Sequence, residues 1–327
     1  MPNYNGVWSL STQYQYAADW SADNISPAAA AAAVRGVFEG GNNDSGNLDV
    51  IEYITMGSTG NATDFGNLIA AASYVFNGQC ASTTRGIFAG GGAGGANLDV
   101  IEYITIANTG NATDFGNLVA ASLGGASVSS ATRGVFIGGY TSGYVNTIQY
   151  ITIANTGNTT DFGDVVAASY ANSGFCSSTR GVSVGNQTSG GVTNRIDYIT
   201  IASVGNTTDF GDLTVVRVHG GALGNSTRGL MGGGFLSSGS SNVIDYVTIA
   251  SAGNATDFGN LAEAKASNSG VSSPIRGVFG GGENASVKLN VMEYVTIAST
   301  GNSTDFGDLS GVRRFLGGTS NGHGGIA

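Results

Sequence analysis

Six arginines, Arg35, Arg85, Arg133, Arg180, Arg228 and Arg276, recur in fixed phase with six aspartates, Asp64, Asp114, Asp161, Asp209, Asp257 and Asp305. Each arginine opens an Arg-Gly pair, and each aspartate sits in a Thr-Asp-Phe-Gly phrase. Glu52, Glu102, Asp197, Asp245 and Glu293 form a second acidic series, which Gln149 interrupts. Opposite charges at constant spacing offer two chemistries. One is a ring of carboxylates around a channel, able to hold a cation. The other is one internal Arg-carboxylate bridge per copy, locking strand geometry through a bidentate pair. A site breaks symmetry, whereas this pattern does not, so the residues predict the structural bridge.

Other chemistry-bearing residues are few. His219 and His323 are the only histidines, and neither stands at ligand spacing to a cysteine or to the other. No zinc site is expected from them. Cys80 and Cys176 lie two copies apart and read as small reduced core residues. The glycine run at Gly90-Gly91-Gly92 follows a strand-like segment and opens no helix, so it is not a phosphate loop. The sequence therefore predicts no enzyme, no cofactor and no metal.

The elements that must position these residues come from repetition. One unit reads Arg-Gly-Val-Phe, Gly-Gly, a variable loop, Asn-x-Ile-x-Tyr-Ile-Thr-Ile-Ala, then Thr-Gly-Asn-Ala-Thr-Asp-Phe-Gly-Asn-Leu and a looser stretch. Its β-branched and aromatic runs suit strands, and no segment holds helical periodicity for three turns. In the strand at 51–55, Ile51, Tyr53 and Thr55 are expected on one face, with Glu52 and Ile54 on the other. The recurring Gly-Asn is expected to form a tight hairpin with asparagine left-handed, which also explains six glycosylation-like Asn-x-Thr/Ser matches at one turn. Four strands in about 48 residues cannot bury both sheet faces alone, but six such wedges around an axis can. The prediction is an all-β, six-bladed propeller over residues 31–327, with residues 1–30 outside it. The segment Asp308–Arg313 parallels Asp212–Arg217, with one extra residue before the following Gly-Gly. It therefore predicts that the C-terminus supplies the inner strand of the first blade and removes two sheet edges.

A strand ending in Gly-Gly, then a tyrosine, then an aromatic, repeated near 48 residues, resembles the kelch type of propeller, with Phe where Trp is usual. The phrase from Tyr246 to Leu261 resembles kelch-like repeats in structural proteins of tailed bacteriophages, especially those of aquatic and cyanobacterial hosts. Gly6 to Tyr14 and Ser320 to Gly325 resemble such proteins too. The resemblance implies a non-enzymatic virion component assembled in the host cytoplasm. It would be a propeller module of tail fibre or baseplate with a host-receptor-binding role, or alternatively a capsid decoration or head-fibre protein. A glycan-active propeller enzyme is a further alternative.

Binding is expected on the loops after the double glycines, since variable loops on a rigid scaffold carry recognition. Asn43, Asp44, Tyr140, Tyr144, Phe235 and Glu283 are the candidates, facing host glycan or protein. Tyr4, Trp8, Tyr14, Tyr16 and Trp20 crowd the first twenty residues. They predict an attachment segment for other virion proteins or sister copies in a homo-oligomer, because large aromatics anchor interfaces. A formal charge of −10, with 12 basic side chains, argues against broad nucleic-acid binding. No apolar run is long enough for a membrane span, and the start does not read as a secretory signal.

Overall fold

A computed structural model describes residues 34–326. Among these residues every regular element is a strand, and the strands form a propeller-like arrangement. The first repeat shows the plan. Arg35–Glu39 pairs antiparallel with Gly46–Thr55 in the register Arg35↔Thr55 to Glu39↔Ile51. Gly46–Thr55 pairs in turn with Thr63–Ala72, across an irregularity between Ile51 and Glu52. The same three-strand pairing recurs in all six copies. The link between the last two strands spans seven residues, 56–62, so it is wider than the expected tight hairpin. Asn61 is not among the residues with positive φ.

The strand at 51–55 does not alternate between core and solvent. Ile51, Glu52 and Ile54 are all buried. Both sheet faces pack against neighbouring repeats, so period-two exposure is lost. The apolar clusters accordingly straddle repeats: Phe38, Met56 and Ile54 of the first copy share one core with Val271, Val278 and Phe306 of the last. Burying one such side chain is worth about 1.5–3 kcal/mol.

The closing strand is Gly317–Ser320, paired antiparallel with Arg35–Glu39 from Gly36↔Ser320 to Glu39↔Gly317. It starts at the same phase as Gly221–Gly224, so the extra residue expected in the C-terminal copy is absent. Hydrogen bonding does not divide the strands into six equal sheets. Two four-stranded sheets stand alone, while others hold three, five and nine strands. The merger has a local cause. Asn77–Gly78 leaves its own repeat and pairs in parallel with Ala126–Ser129 and with Ser173–Cys176. The interval from Asp64 to Arg85 is two residues longer than that from Asp114 to Arg133. Phe76 and Cys80 still bond Ala89 and Ile87, at 3.1 and 3.0 Å, so the surplus loops out between them. It fills the axis: Asn77 Nδ2 donates to the Gly220 and Asn268 carbonyls, at 3.3 and 3.2 Å.

Repeats are stitched to their neighbours in closed cycles. Gly110 N–H donates to the Phe65 carbonyl at 2.7 Å, and each later copy repeats this until Gly60 donates to Phe306. A Cβ on Gly66 would come within 2.4 Å of the Gly110 carbonyl oxygen, which is why the phrase needs glycine after Phe65. A second cycle surrounds the axis at one end. Gly124 N–H donates to Tyr74, Ala171 to Gly124, His219 to Ala171, Ser267 to His219, Phe315 to Ser267 and Tyr74 to Phe315, over 2.6–3.3 Å.

Candidate functional site

The loop-bearing end of the ring is defined by strand direction. Arg35–Glu39 runs toward it, Gly46–Thr55 runs away, and Thr63–Ala72 returns, so the variable loops and the crossings between repeats share one end. The opposite end carries residue 34, the 56–62 link and the last described residues. There His323 is buried: its Nε2 donates to the Ala81 carbonyl at 3.3 Å, and its Nδ1 accepts from Gly325 N–H at 3.1 Å. Burial holds its pKa down to about 4. Cys176 Sγ lies 3.6 Å from Nδ1. Cys80 packs at Gly134, opposite Ser129, whose N–H meets Cys176 Sγ. The two thiols thus flank the third repeat's innermost strand, although their own repeats are not adjacent. Both are free, and burial raises both pKa values, that of Cys176 to about 12. Such thiols are inert packing groups.

At the loop end, six left-handed or glycine positions surround the axis. Three of them carry rings: Tyr74, His219 and Phe315, at φ of 55°, 56° and 54°. Tyr74 stacks on Phe315 with centroids 3.6 Å apart. His219 meets both edge-on, and also meets Tyr170 at 5.4 Å. Tyr170 in turn contacts Tyr140 and Tyr144, and Phe235 contacts His219. All seven rings are half-buried. His219 is held neutral, its pKa pushed down to about 4 by desolvation among these rings.

The predicted loop residues fare unequally. Tyr140, Tyr144 and Phe235 join this aromatic cluster, whereas Asn43 stays in its own loop, where its Oδ1 accepts Ser45 N–H. Asp44 is exposed and paired to Lys288. Glu283 is a correction: it is buried, receives Arg314 Nη1 at 2.5 Å, and accepts from Ser267 Oγ. It orders a loop and offers nothing to a ligand. Tyr4, Trp8, Tyr14, Tyr16 and Trp20 lie outside the described residues.

The repeating charges also need correction. No Arg35-class guanidinium forms an ion pair among the described residues. Arg35 lies 4.4 Å over its own Tyr53 ring and donates to the Ile106 and Ala107 carbonyls of the next repeat, each at 2.9 Å. The five other arginines sit alike on their tyrosines, and Arg276 closes the round on Met56. The guanidinium thus caps a neighbour's turn by cation–π and hydrogen bonding. Asp64 and its equivalents stay exposed at the outer strand. Asn61 and its equivalents bond the previous repeat instead: Asn111 Oδ1 accepts Asn67 N–H at 3.1 Å, and Asn61 Oδ1 accepts Asp308 N–H at 3.0 Å.

The second acidic series does not ring a channel. It lies buried between repeats, where Glu52, Glu102, Gln149, Asp245 and Glu293 each accept an N–H from the preceding outer strand or from two residues past its end. Three of them meet buried cations that the sequence reading passed over. Arg217 pairs with Asp245 at 3.2 Å, Lys265 with Glu293 at 3.0 Å, and Arg313 with Glu52. The signal was present, since Arg217, Lys265 and Arg313 share one phase. Among the described residues no group of three or more His, Cys, Asp or Glu could hold a metal.

Fold and site together define an all-β, propeller-like scaffold with an aromatic cluster at its loop end. No protein-family model matches the chain, and no curated protein does either.

Proposed function

We propose that the chain is a non-enzymatic binding and assembly module of a tailed-phage particle, built as a six-bladed propeller closed by Gly317–Ser320. The blade count is supported by the six-membered cycle of backbone hydrogen bonds through Tyr74, Gly124, Ala171, His219, Ser267 and Phe315. Unequal sheets arise where Asn77–Gly78 swings into the axis.

One observation carries the functional reading: the two ends of the ring differ. The loop end presents aromatic rings on a hydrogen-bonded floor. The other end holds residue 34, to which the aromatic segment 1–30 leads, and the buried His323. A module tethered at one end and recognising at the other has this polarity, and recognition loops on rigid scaffolds are its usual form. Tail fibre or baseplate is the assignment the repeat phrases favour. The particle is the chain's location, other virion proteins and sister copies are its partners, and host-surface recognition is its task.

Antibodies against the loop end, applied to purified particles and imaged by electron microscopy, test this. Labelling of the particle surface supports the reading. Absence of the chain from particles overturns it. Release of reducing ends from host polysaccharide by the purified chain overturns the non-enzymatic part.

A further inference from the structure

The aromatic cluster at the loop end has the chemistry of a particular ligand class. Four rings, Tyr74, Phe315, His219 and Tyr170, stand over the axis, with Tyr140 and Tyr144 beside them. Positive φ is uncommon outside glycine, and for a bulky residue it is an outlier. Gly124 shows that a small residue serves at this phase, yet Tyr74, His219 and Phe315 hold rings there. Between the rings and the axial floor lies a cavity of ≈ 20 Å³, whose wall includes Asn77, Asn172 and Ser173. Asn172 is 2% exposed, and its Oδ1 has no hydrogen-bond partner.

Charge narrows the class. The cations of this end are all taken: Arg314 pairs with Glu283, and Lys288 with Asp44, while Glu263 stays exposed without a cation. His219 is neutral. Among the described residues the end therefore offers ring faces, tyrosine hydroxyls and amides, but no unpaired cation to hold an anionic ligand. Aromatic faces carry negative quadrupole density, which attracts the weakly positive C–H face of a pyranose, while hydroxyls satisfy amide acceptors. We propose that this axial cluster is a binding site for a neutral hexose-based glycan, an inference that rests on reading the loop end as the recognition face.

The full chain is run by affinity electrophoresis through gels containing mannan, galactan, dextran or β-1,3-glucan, with alginate as the anionic comparison. Retardation in at least one neutral polymer is expected, weakened at least tenfold in Tyr170→Ala and in Tyr140→Ala, with Thr59→Ala at the opposite end unchanged. Circular dichroism and thermal unfolding check that each variant folds. Should Tyr170→Ala fail to fold, Tyr140→Ala at the loop rim is the deciding variant. No retardation in any neutral polymer, retardation in alginate alone, or equal retardation of both tyrosine variants and wild type overturns the proposal. A chain found on particles yet blind to neutral polymers sinks the glycan assignment alone. A chain absent from particles but retarded by a neutral polymer sinks the virion reading alone.

Discussion

Two halves of the ring solve the same buried problem differently. Every repeat places a polar group from its tyrosine strand against the preceding outer strand. At the fifth, sixth and first repeats that group is a carboxylate facing Arg217, Lys265 or Arg313. At the second, third and fourth repeats the equivalent of the cation is Ala72, Ser122 or Ser169. The third repeat answers with neutral Gln149, whose Oε1 accepts from Val119 N–H and Thr159 Oγ1. The fourth supplies its own cation, Arg195, 2.7 Å from Asp197. The second does neither: Glu102 stays buried without a cation, and desolvation raises its pKa. A buried charge is tolerated when paired, and is otherwise replaced by a neutral group or left with its pKa shifted toward the neutral form, and one chain here displays all three outcomes.

The comparison can be broken most severely at Arg313. Its guanidinium also donates to the Gly40 and Val50 carbonyls, and burial holds its pKa at about 10. Arg313→Met is expected to lose about 3–5 kcal/mol in urea unfolding, because Glu52 is left buried and unpaired. A loss below about 1 kcal/mol would show that the pair is not what holds this seam. Lys265→Met alone should cost a similar amount. Combined with Glu293→Gln it is expected to come out neutral or even stabilising, by about 1–4 kcal/mol. A double-mutant cycle measures the coupling, and additive losses would refute it.

Gln149→Glu asks whether the third seam can bear a charge. It is expected to destabilise by about 1–3 kcal/mol at neutral pH, the usual penalty of a poorly satisfied buried polar group, with recovery in acid. Glu102→Gln is the converse and should stabilise by about 0.5–2 kcal/mol. Its pH dependence follows from the raised pKa of Glu102. Below the ordinary value of 4.5 both states are protonated and the substitution gains nothing; above it the folded state retains the proton longer, so wild-type stability falls as pH rises and the benefit grows. A benefit independent of pH would mean that Glu102 is not the strained group. The smallest change tests what both halves share: Asn254→Ala removes the acceptor of Asp212 N–H, 3.0 Å away, for about 1 kcal/mol by thermal unfolding.

Much of this was legible in the residues. The repeat length, the strand types and the closing role of the C-terminal segment follow from spacing and β-branched runs, because local propensity and periodicity act over a few residues. The loop end followed too, since double glycines mark where strands stop. The partners of charged side chains were not legible. Arg35 and Asp64 recur in matched phase in every repeat, so opposite charge at constant spacing suggested a bridge, but each repeat packs both faces on its neighbours, and Arg35 reaches the next copy.

By itself, then, the sequence determined six copies of one all-strand unit and the phase at which each residue type recurs, because period and composition suffice to build identical strands. Only the tertiary structure decided which unit each side chain answers to. It alone turned two surplus residues into the axial filling at Asn77–Gly78 and gathered Tyr74, Tyr170, His219 and Phe315 over one axis. Those contacts join residues about 50 to 240 positions apart, and they exist only once the ring has closed.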